Sequence, residues 1–228
     1  MAEIVLDKVS KRYPDGVLAV SELDVSVADG EFVVLLGPPG CGKSTVLHLV
    51  AGLESISSGE LRIDGVRVNE QPPWQRDLAM VFEGYALYPH LSVRENIAFP
   101  LRLAKLPDAT VRARVGEVAE RLDLTEQLDR RPAMLSGGQR QRVAIGRAIV
   151  RNAKALLMDE PMANLDSKLR TQLRSSVAEL QRDLGITTLY VTHDQAEAMA
   201  LAHRVVVLRD GAVQQTGTPR QLRETCGE

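Results

Sequence analysis

Gly37-Pro38-Pro39-Gly40-Cys41-Gly42-Lys43-Ser44-Thr45 fits the pattern G-x-x-x-x-G-K-[ST], with Gly37, Gly42, Lys43 and Ser44 in the fixed places. An apolar run, Phe32-Val33-Val34-Leu35-Leu36, leads into this stretch, and a helical run, Ser44 to Val50, leads out of it. Glycines let backbone N–H groups converge on an anion without Cβ obstruction. The new helix adds its unpaired N–H groups and the positive end of its dipole. Lys43 is placed to reach β- and γ-phosphates, and the Ser44 hydroxyl to ligate Mg²⁺. A nucleoside triphosphate is the ligand this stretch predicts.

Outward from the loop, residues 2–36 alternate like antiparallel strands. Ile4-Val5-Leu6, Val17 to Val20 and Leu23 to Val27 are separated by Pro14-Asp15-Gly16 and Ala28-Asp29-Gly30 turns. Strands are expected again at Gly59 to Gly65 and Leu78 to Phe82. Residues 93–153 then carry little strand signal. From Val111 to Leu122, apolar residues recur at helical spacing on one face. The α/β pattern resumes at Ala155 to Met158, with a helix near 167–184, a strand at Thr187 to Val191 and a helix over 195–202. A hairpin follows around Asp210-Gly211. The expected architecture is α/β: a triphosphate-binding core over 1–84 and 155–228 with an N-terminal antiparallel β-subdomain, interrupted by a helical subdomain over 85–154.

The composition narrows the function class. The chain has 228 residues, 44% hydrophobic and 25% charged, within the usual range for globular domains. A formal net charge of −2 gives no basic footprint for nucleic acid. The two cysteines, Cys41 inside the loop and Cys226 near the end, make no disulfide framework and suit a reducing compartment. The start lacks the charged and apolar regions of a signal peptide, and no run reaches 18 apolar residues. Any service to a membrane is therefore expected from the cytosolic face, through a partner.

Three further constellations carry chemistry. Asp159 and Glu160 end the strand Leu156-Leu157-Met158. Asp159 suits the Mg²⁺ shell opposite Ser44, while Glu160 projects toward the γ-phosphate to polarise an attacking water. His193 closes the next strand and is placed to sense the γ-phosphate. Ser136-Gly137-Gly138-Gln139 precedes the helical run Val143 to Val150, making a second anion-binding helix start. One nucleotide does not need two cradles, so this one is expected to serve ATP on a second copy of the chain.

Taken together, these motifs resemble the ATP-binding-cassette ATPases over residues 3–222. The resemblance implies a fold with a RecA-like phosphate-loop core. It makes Tyr13 the aromatic residue stacked on adenine, and the loop from Gly37 through Pro38, Pro39, Gly40, Cys41, Gly42, Lys43 and Ser44 to Thr45 the ATP cradle. Glu160, His193 and Lys43 become the catalytic set, and Ser136, Gly137, Gly138 and Gln139 the contacts made in trans. Asn164, Leu165 and Asp166 match the loop that crosses the dimer interface. The family usually has glutamine where Glu83 stands; Glu83 is expected to join Ser44 and Asp159 around the metal.

Tyr85 to Val93 and Asn96 to Leu101 resemble the carbohydrate-importer ATPases of the maltose and glycerol-phosphate type. That subgroup usually carries a regulatory β-rich domain after the ATPase, whereas this chain stops at Glu228, so no sensing role is carried over. The resemblance implies an ATPase peripheral to the cytoplasmic face of the plasma membrane, using ATP and Mg²⁺. It would act as a homodimer or beside a homologous subunit, and drive uptake of a sugar or related polar solute through permeases and, indirectly, a solute-binding protein. Polyamine, anion or iron importers and non-transport cassettes are the alternatives. A small-molecule kinase would leave the Ser136 string without a purpose. A GTPase would need an Asn-Lys-x-Asp element, which is missing.

Overall fold

The computed structural model describes residues 2–225. Cys226 lies outside them, so the cysteine reading rests on Cys41, a buried free thiol. Two compact units are formed, one from residues 1–80, 154–160 and 181–228, the other from 81–153 and 161–180. Residues 161–180 thus group with the helical segment.

The first unit contains two sheets. In the antiparallel one, the order is β2 (Leu18–Val27), β1 (Ile4–Arg12), β4 (Ser58–Ile63), β5 (Val66–Arg67). Val17 to Val20 and Leu23 to Val27, expected as separate strands, run on as the single strand β2. The ladder survives because irregularities in register absorb the break. Glu22, at φ 43°, donates its N–H to Ser10 Oγ at 2.8 Å, and Lys8, at φ 47°, donates to Asp24 Oδ1 at 2.8 Å.

In the second sheet the order is β10 (Ala212–Gly217), β9 (Arg204–Arg209), β3 (Phe32–Leu36), β8 (Thr187–Thr192), β7 (Ala155–Asp159), β6 (Leu78–Val81). Strands β9, β3, β8 and β7 are parallel neighbours, and β10 turns back against β9. Helices on such a sheet bury both faces, which is why β3 and β8 read as continuous apolar or β-branched runs. Each fully buried Val or Leu contributes about 1.5–3 kcal/mol.

Register decides where the chemistry falls. Leu36 pairs with Thr192, and Asp159 pairs with Val191. The residues one step beyond, Gly37, Glu160 and His193, therefore leave the sheet along one edge, at the carboxyl ends of the strands where open α/β sheets bind ligands. Helix α1 (Lys43–Ala51) starts at this edge and ends at Gly52, whose φ of 77° lets its N–H close on the His48 and Leu49 carbonyls.

The second unit is helical, with α2 (Val93–Leu103), α3 (Asp108–Arg121) and α4 (Gly137–Ile149). It also takes most of α5 (Ser167–Leu184). Helix α2 opens on a Ser92–Glu95 capping box. Gly146 lets α4 approach its neighbours: a Cβ there would meet Leu122 and Val118 at 3.1 Å. The fully buried Asn96 spends its amide on the backbone of Tyr88, Leu91 and Ser92, fixing the loop before α2.

Candidate functional site

The loop from Gly37 to Thr45 is built against backbone on two sides. A Cβ on Gly37 would lie 2.3 Å from the Leu208 carbonyl oxygen, and one on Gly42 would lie 2.4 Å from that of Ala19. Gly42 also has φ 97°, a conformation that side chains rarely adopt. It stands at the N-cap of α1 without any side-chain cap, so the first N–H groups of that helix have no side chain closing over them. A cavity of about 250 Å³ opens here, lined among others by Pro39, Gly40, Lys43, Ser44, Thr45 and Glu160.

Charged groups converge on this cavity. Lys43 is buried, and its Nζ donates to the Pro38 carbonyl at 2.9 Å and lies 3.8 Å from Glu160 Oε1. The other oxygen of Glu160, Oε2, lies 2.7 Å from His193 Nδ1. Glu160 holds φ 40°, and Pro161 follows it. Proline disfavours the right-handed helical region for its predecessor; a non-glycine residue in the left-handed region costs on the order of 1–3 kcal/mol, as is common where a site over-determines the backbone. The Glu160 N–H is anchored to the Val191 carbonyl at 3.0 Å.

Beside this trio, Ser44 Oγ donates to Asp159 Oδ1 at 2.8 Å. A serine hydroxyl and a carboxylate meeting at the mouth of a phosphate cradle are hard oxygen donors, the set that Mg²⁺ takes when phosphate and water complete its shell. The described residues hold no group of three or more His, Cys, Asp or Glu that could hold a metal alone. His48, one turn along α1, reaches Asp159 Oδ2 at 3.6 Å. The sequence reading missed it, although the i, i+4 spacing from Ser44 puts both on one helix face.

Tyr13 sits in the β1–β2 turn of the same unit, its N–H on the Val17 carbonyl at 2.9 Å. The buried Lys11, also missed, places Nζ 5.0 Å from the centre of its ring. Glu83, Ser136 to Gln139 and Asn164 to Asp166 belong to the second unit. Glu83 is exposed and makes no hydrogen bond or ion pair among the described residues. Ser136 caps α4 in a reciprocal box: its Oγ accepts from Gln139 N–H at 3.2 Å, and its own N–H donates to Gln139 Oε1 at 3.0 Å. Leu165 is buried beside Gly137, where a Cβ would meet Leu165 Cδ2 at 3.3 Å, while Asn164 and Asp166 are exposed. Asp166 Oδ1 caps α5 by accepting from Leu169 N–H at 2.9 Å.

A parallel sheet ending in a phosphate cradle, with Ser44–Asp159 on one side and Glu160–His193 on the other, defines a phosphate-loop nucleotide-binding cassette. Comparison with known proteins narrows this class. A family model described as ABC transporter matches residues 20–163, and the chain belongs to that family. It is 64% identical over 224 residues to the trehalose import ATP-binding protein SugC of Mycobacterium tuberculosis (strain ATCC 25618 / H37Rv), which covers 98% of this chain and 57% of SugC. It is 56% identical to the sn-glycerol-3-phosphate import ATP-binding protein UgpC of Chromohalobacter salexigens, over 97% of this chain and 60% of that one. The chain thus spans about three-fifths of the length of these relatives. Among solved structures, cbiO1 from Clostridium perfringens, part of the transporter complex cbiONQ, superposes with a TM-score of 0.90 at 28% identity, covering 97% of this chain and 90% of that one. A dimeric post-hydrolysis state of the ATP-binding cassette MJ0796, bound to ADP and Pi, gives 0.84 at 31% identity, covering 95% and 99%.

Proposed function

We propose that this chain is the ATP-hydrolysing cassette of an importer, acting as a pair that closes around two Mg²⁺-ATP and drives uptake of a sugar or related polar solute through membrane permeases. The observation that carries the reading is the convergence of Lys43, Glu160 and His193 on one cradle, with Ser44 and Asp159 alongside. Among the described residues no helix is long and apolar enough to cross a membrane; in this reading the cassette works from the cytoplasmic face, docked on permeases near Tyr85 to His90. The solute class rests on relatives named for trehalose, sn-glycerol-3-phosphate, diacetylchitobiose and oligosaccharide uptake.

The chemistry follows from the positions. Water attacks the γ-phosphorus, and the new P–O bond forms in line with the breaking bond to the β–γ bridging oxygen. Glu160 takes the water's proton, and ADP is the leaving group. His193 holds Glu160 by its Oε2, leaving Oε1 toward Lys43 and the cavity. Lys43 neutralises charge on the phosphates. Ser44 and Asp159 would hold Mg²⁺, and Glu83 is the third ligand the family resemblance suggests. When bound, the ion screens the charge that develops between the β- and γ-phosphates.

Ser136, Gly137 and Gly138 would close on the same phosphate from a second copy, with Asn164 to Asp166 at the seam and Tyr13 on the adenine. Loss of the γ-phosphate then removes the link that holds the pair shut. Glu160→Gln keeps shape and removes the proton acceptor. Turnover should fall by about 10²–10⁴-fold while ATP still binds and the ATP-bound pair accumulates on size exclusion. Near-normal hydrolysis by that variant would sink the assignment.

A further inference from the structure

A second cavity of the first unit, about 750 Å³, lies away from the phosphate cradle. It is a groove between the end of α1 and the turn that carries Trp74, the chain's single tryptophan, which is 79% exposed. We propose that this groove binds a neutral saccharide and that its occupancy is felt at the nucleotide site.

The groove's charged side chains are already engaged, Glu54 and Arg67 in ion pairs and Arg76 on backbone carbonyls, and this selects the ligand. Glu54 is bound by Lys11 Nζ at 2.9 Å, and Arg67 is paired with Glu70. Arg76, only 4% exposed, donates to the carbonyls of Leu49 at 2.7 Å, Val50 at 3.0 Å and Gln71 at 2.9 Å. An ionic ligand would have to break the pair at Glu54 or Arg67, or draw Arg76 off the carbonyls it holds. The Ser58 hydroxyl and the Gln71 side-chain amide, in contrast, have no hydrogen-bond partner among the described residues. An exposed indole beside open hydroxyl and amide groups suits a molecule with an apolar C–H face and a hydroxyl rim. That is the chemistry of a sugar ring.

Two connections run from the groove to the cradle. Lys11, bonded to Glu54 and to the Ser55 carbonyl at 2.8 Å on the groove wall, is the same cation that lies over Tyr13. Arg76, on the groove floor, holds the last carbonyls of α1, the helix whose first turn is the phosphate loop. A ligand that fixes Glu54–Ser55 therefore acts toward Tyr13, and one that fixes Arg76 acts on the helix that carries the phosphate loop.

Because Trp74 is the chain's only indole, its emission reports this site alone. The chain is titrated with trehalose, maltose and glucose, with glycerol 3-phosphate as the charged arm and glycerol as the solvent control. The proposal expects a saturable change with one of the sugars and a Kd on the order of 1 mM, as befits an open groove. It also expects a change of about 2-fold or more in KM for ATP; this arm alone rests on the ATPase reading above, whereas the fluorescence arm does not. Calorimetry on Trp74→Ala and Gln71→Ala should show sugar binding weakened by about 10-fold or more, with basal ATPase and circular dichroism unchanged. The absence of saturation by every sugar, or saturation by glycerol 3-phosphate alone, overturns the proposal. So does binding that survives Trp74→Ala, or binding that leaves KM for ATP unmoved. A Trp74 response to solubilised permease but to no sugar would assign the groove to protein docking and overturn it as well.

Discussion

The two helices that begin at phosphate-type glycine loops are built in opposite ways. Helix α1 starts at Gly42 with no side-chain cap, and Lys43 in its first turn reaches back to the Pro38 carbonyl. Helix α4 starts at Ser136 inside a complete capping box, so two of its orphan donors are already satisfied. The glycines differ in the same sense. A Cβ on Gly42 meets a backbone oxygen at 2.4 Å, whereas one on Gly137 meets the tip of the Leu165 side chain at 3.3 Å. A helix start whose N–H groups lack internal partners gains from any anion that supplies them. One that caps itself is stable alone and engages an anion conditionally. This is the asymmetry expected if the first loop grips nucleotide continuously and the second only in the closed pair.

The largest effect that would test this contrast belongs to Gly42→Ala. The substitution forces a Cβ into the Ala19 carbonyl at a residue with φ 97°, and neither backbone can yield cheaply. Nucleotide affinity should fall by about 10²-fold or more, roughly 3 kcal/mol, together with turnover, as read by fluorescent-nucleotide titration. Gly137→Ala, by contrast, needs only a rotation of Leu165 and should bind nucleotide as the parent does. Equal losses in the two variants would remove the distinction between the loops.

Next comes Gly137→Asp, which adds a carboxylate where phosphate is expected from the partner copy. Hydrolysis and ATP-driven association should both disappear while the single chain keeps its nucleotide affinity. Mixed with Lys43→Ala, it should restore one live site per pair, because both defects then fall in one composite site. Full activity of either chain as an isolated monomer would break the sandwich.

A smaller effect attaches to Glu83. Its charge is drawn to Mg²⁺ and repelled by phosphate, and at ~4 Å and an effective dielectric near 20 each term is about 4 kcal/mol, so they largely cancel. Glu83→Gln should remain active with ATPase less sensitive to low Mg²⁺, whereas Glu83→Ala should lose turnover. Superimposable Mg²⁺ titrations for the three forms would separate Glu83 from the metal.

How far these features could be read from residues alone follows the range of the interactions. The phosphate loop, β3 and α1 were legible because a local pattern fixes both backbone and chemistry: Gly42 must be glycine, and Phe32 to Leu36 is a short apolar run of strand length that ends at the loop. Asp159, Glu160 and His193 were legible because strand ends carry a polar residue straight after an apolar run. The union of Val17–Val20 with Leu23–Val27 was not, since it depends on Ser10 and Asp24 accepting from a distorted partner strand. Nor was the grouping of residues 161–180 with the helical unit, which rests on packing such as Leu169 against Gly138. His48 and Lys11 each become informative only once a distant residue, Asp159 or Glu54, stands beside them. The groove at Trp74 likewise joins residues apart in sequence, such as Gly52 and Trp74.

The smallest effect lies in the capping box itself. Gln139 is expected to face a partner's nucleotide, yet its Oε1 is engaged by the Ser136 N–H. Only Nε2 is left to donate outward. Gln139→Ala removes half of the box and should cost about 0.5–1 kcal/mol of stability, a fall in Tm of about 1–4 °C for a chain of this size. Gln139→Glu keeps an oxygen for the Ser136 N–H, so it should melt close to the parent. It also replaces the outward donor by a charge that repels phosphate, and should weaken ATP-driven association several-fold. The pair of variants separates two duties of one side chain: Ala is read by thermal melting and Glu by the ATP concentration needed for dimerisation. If Glu associates as readily as the parent, Nε2 does not face nucleotide, and Gln139 serves α4 alone. If Ala melts like the parent, the box does not stabilise the helix start, and the contrast between the two loops loses its structural half.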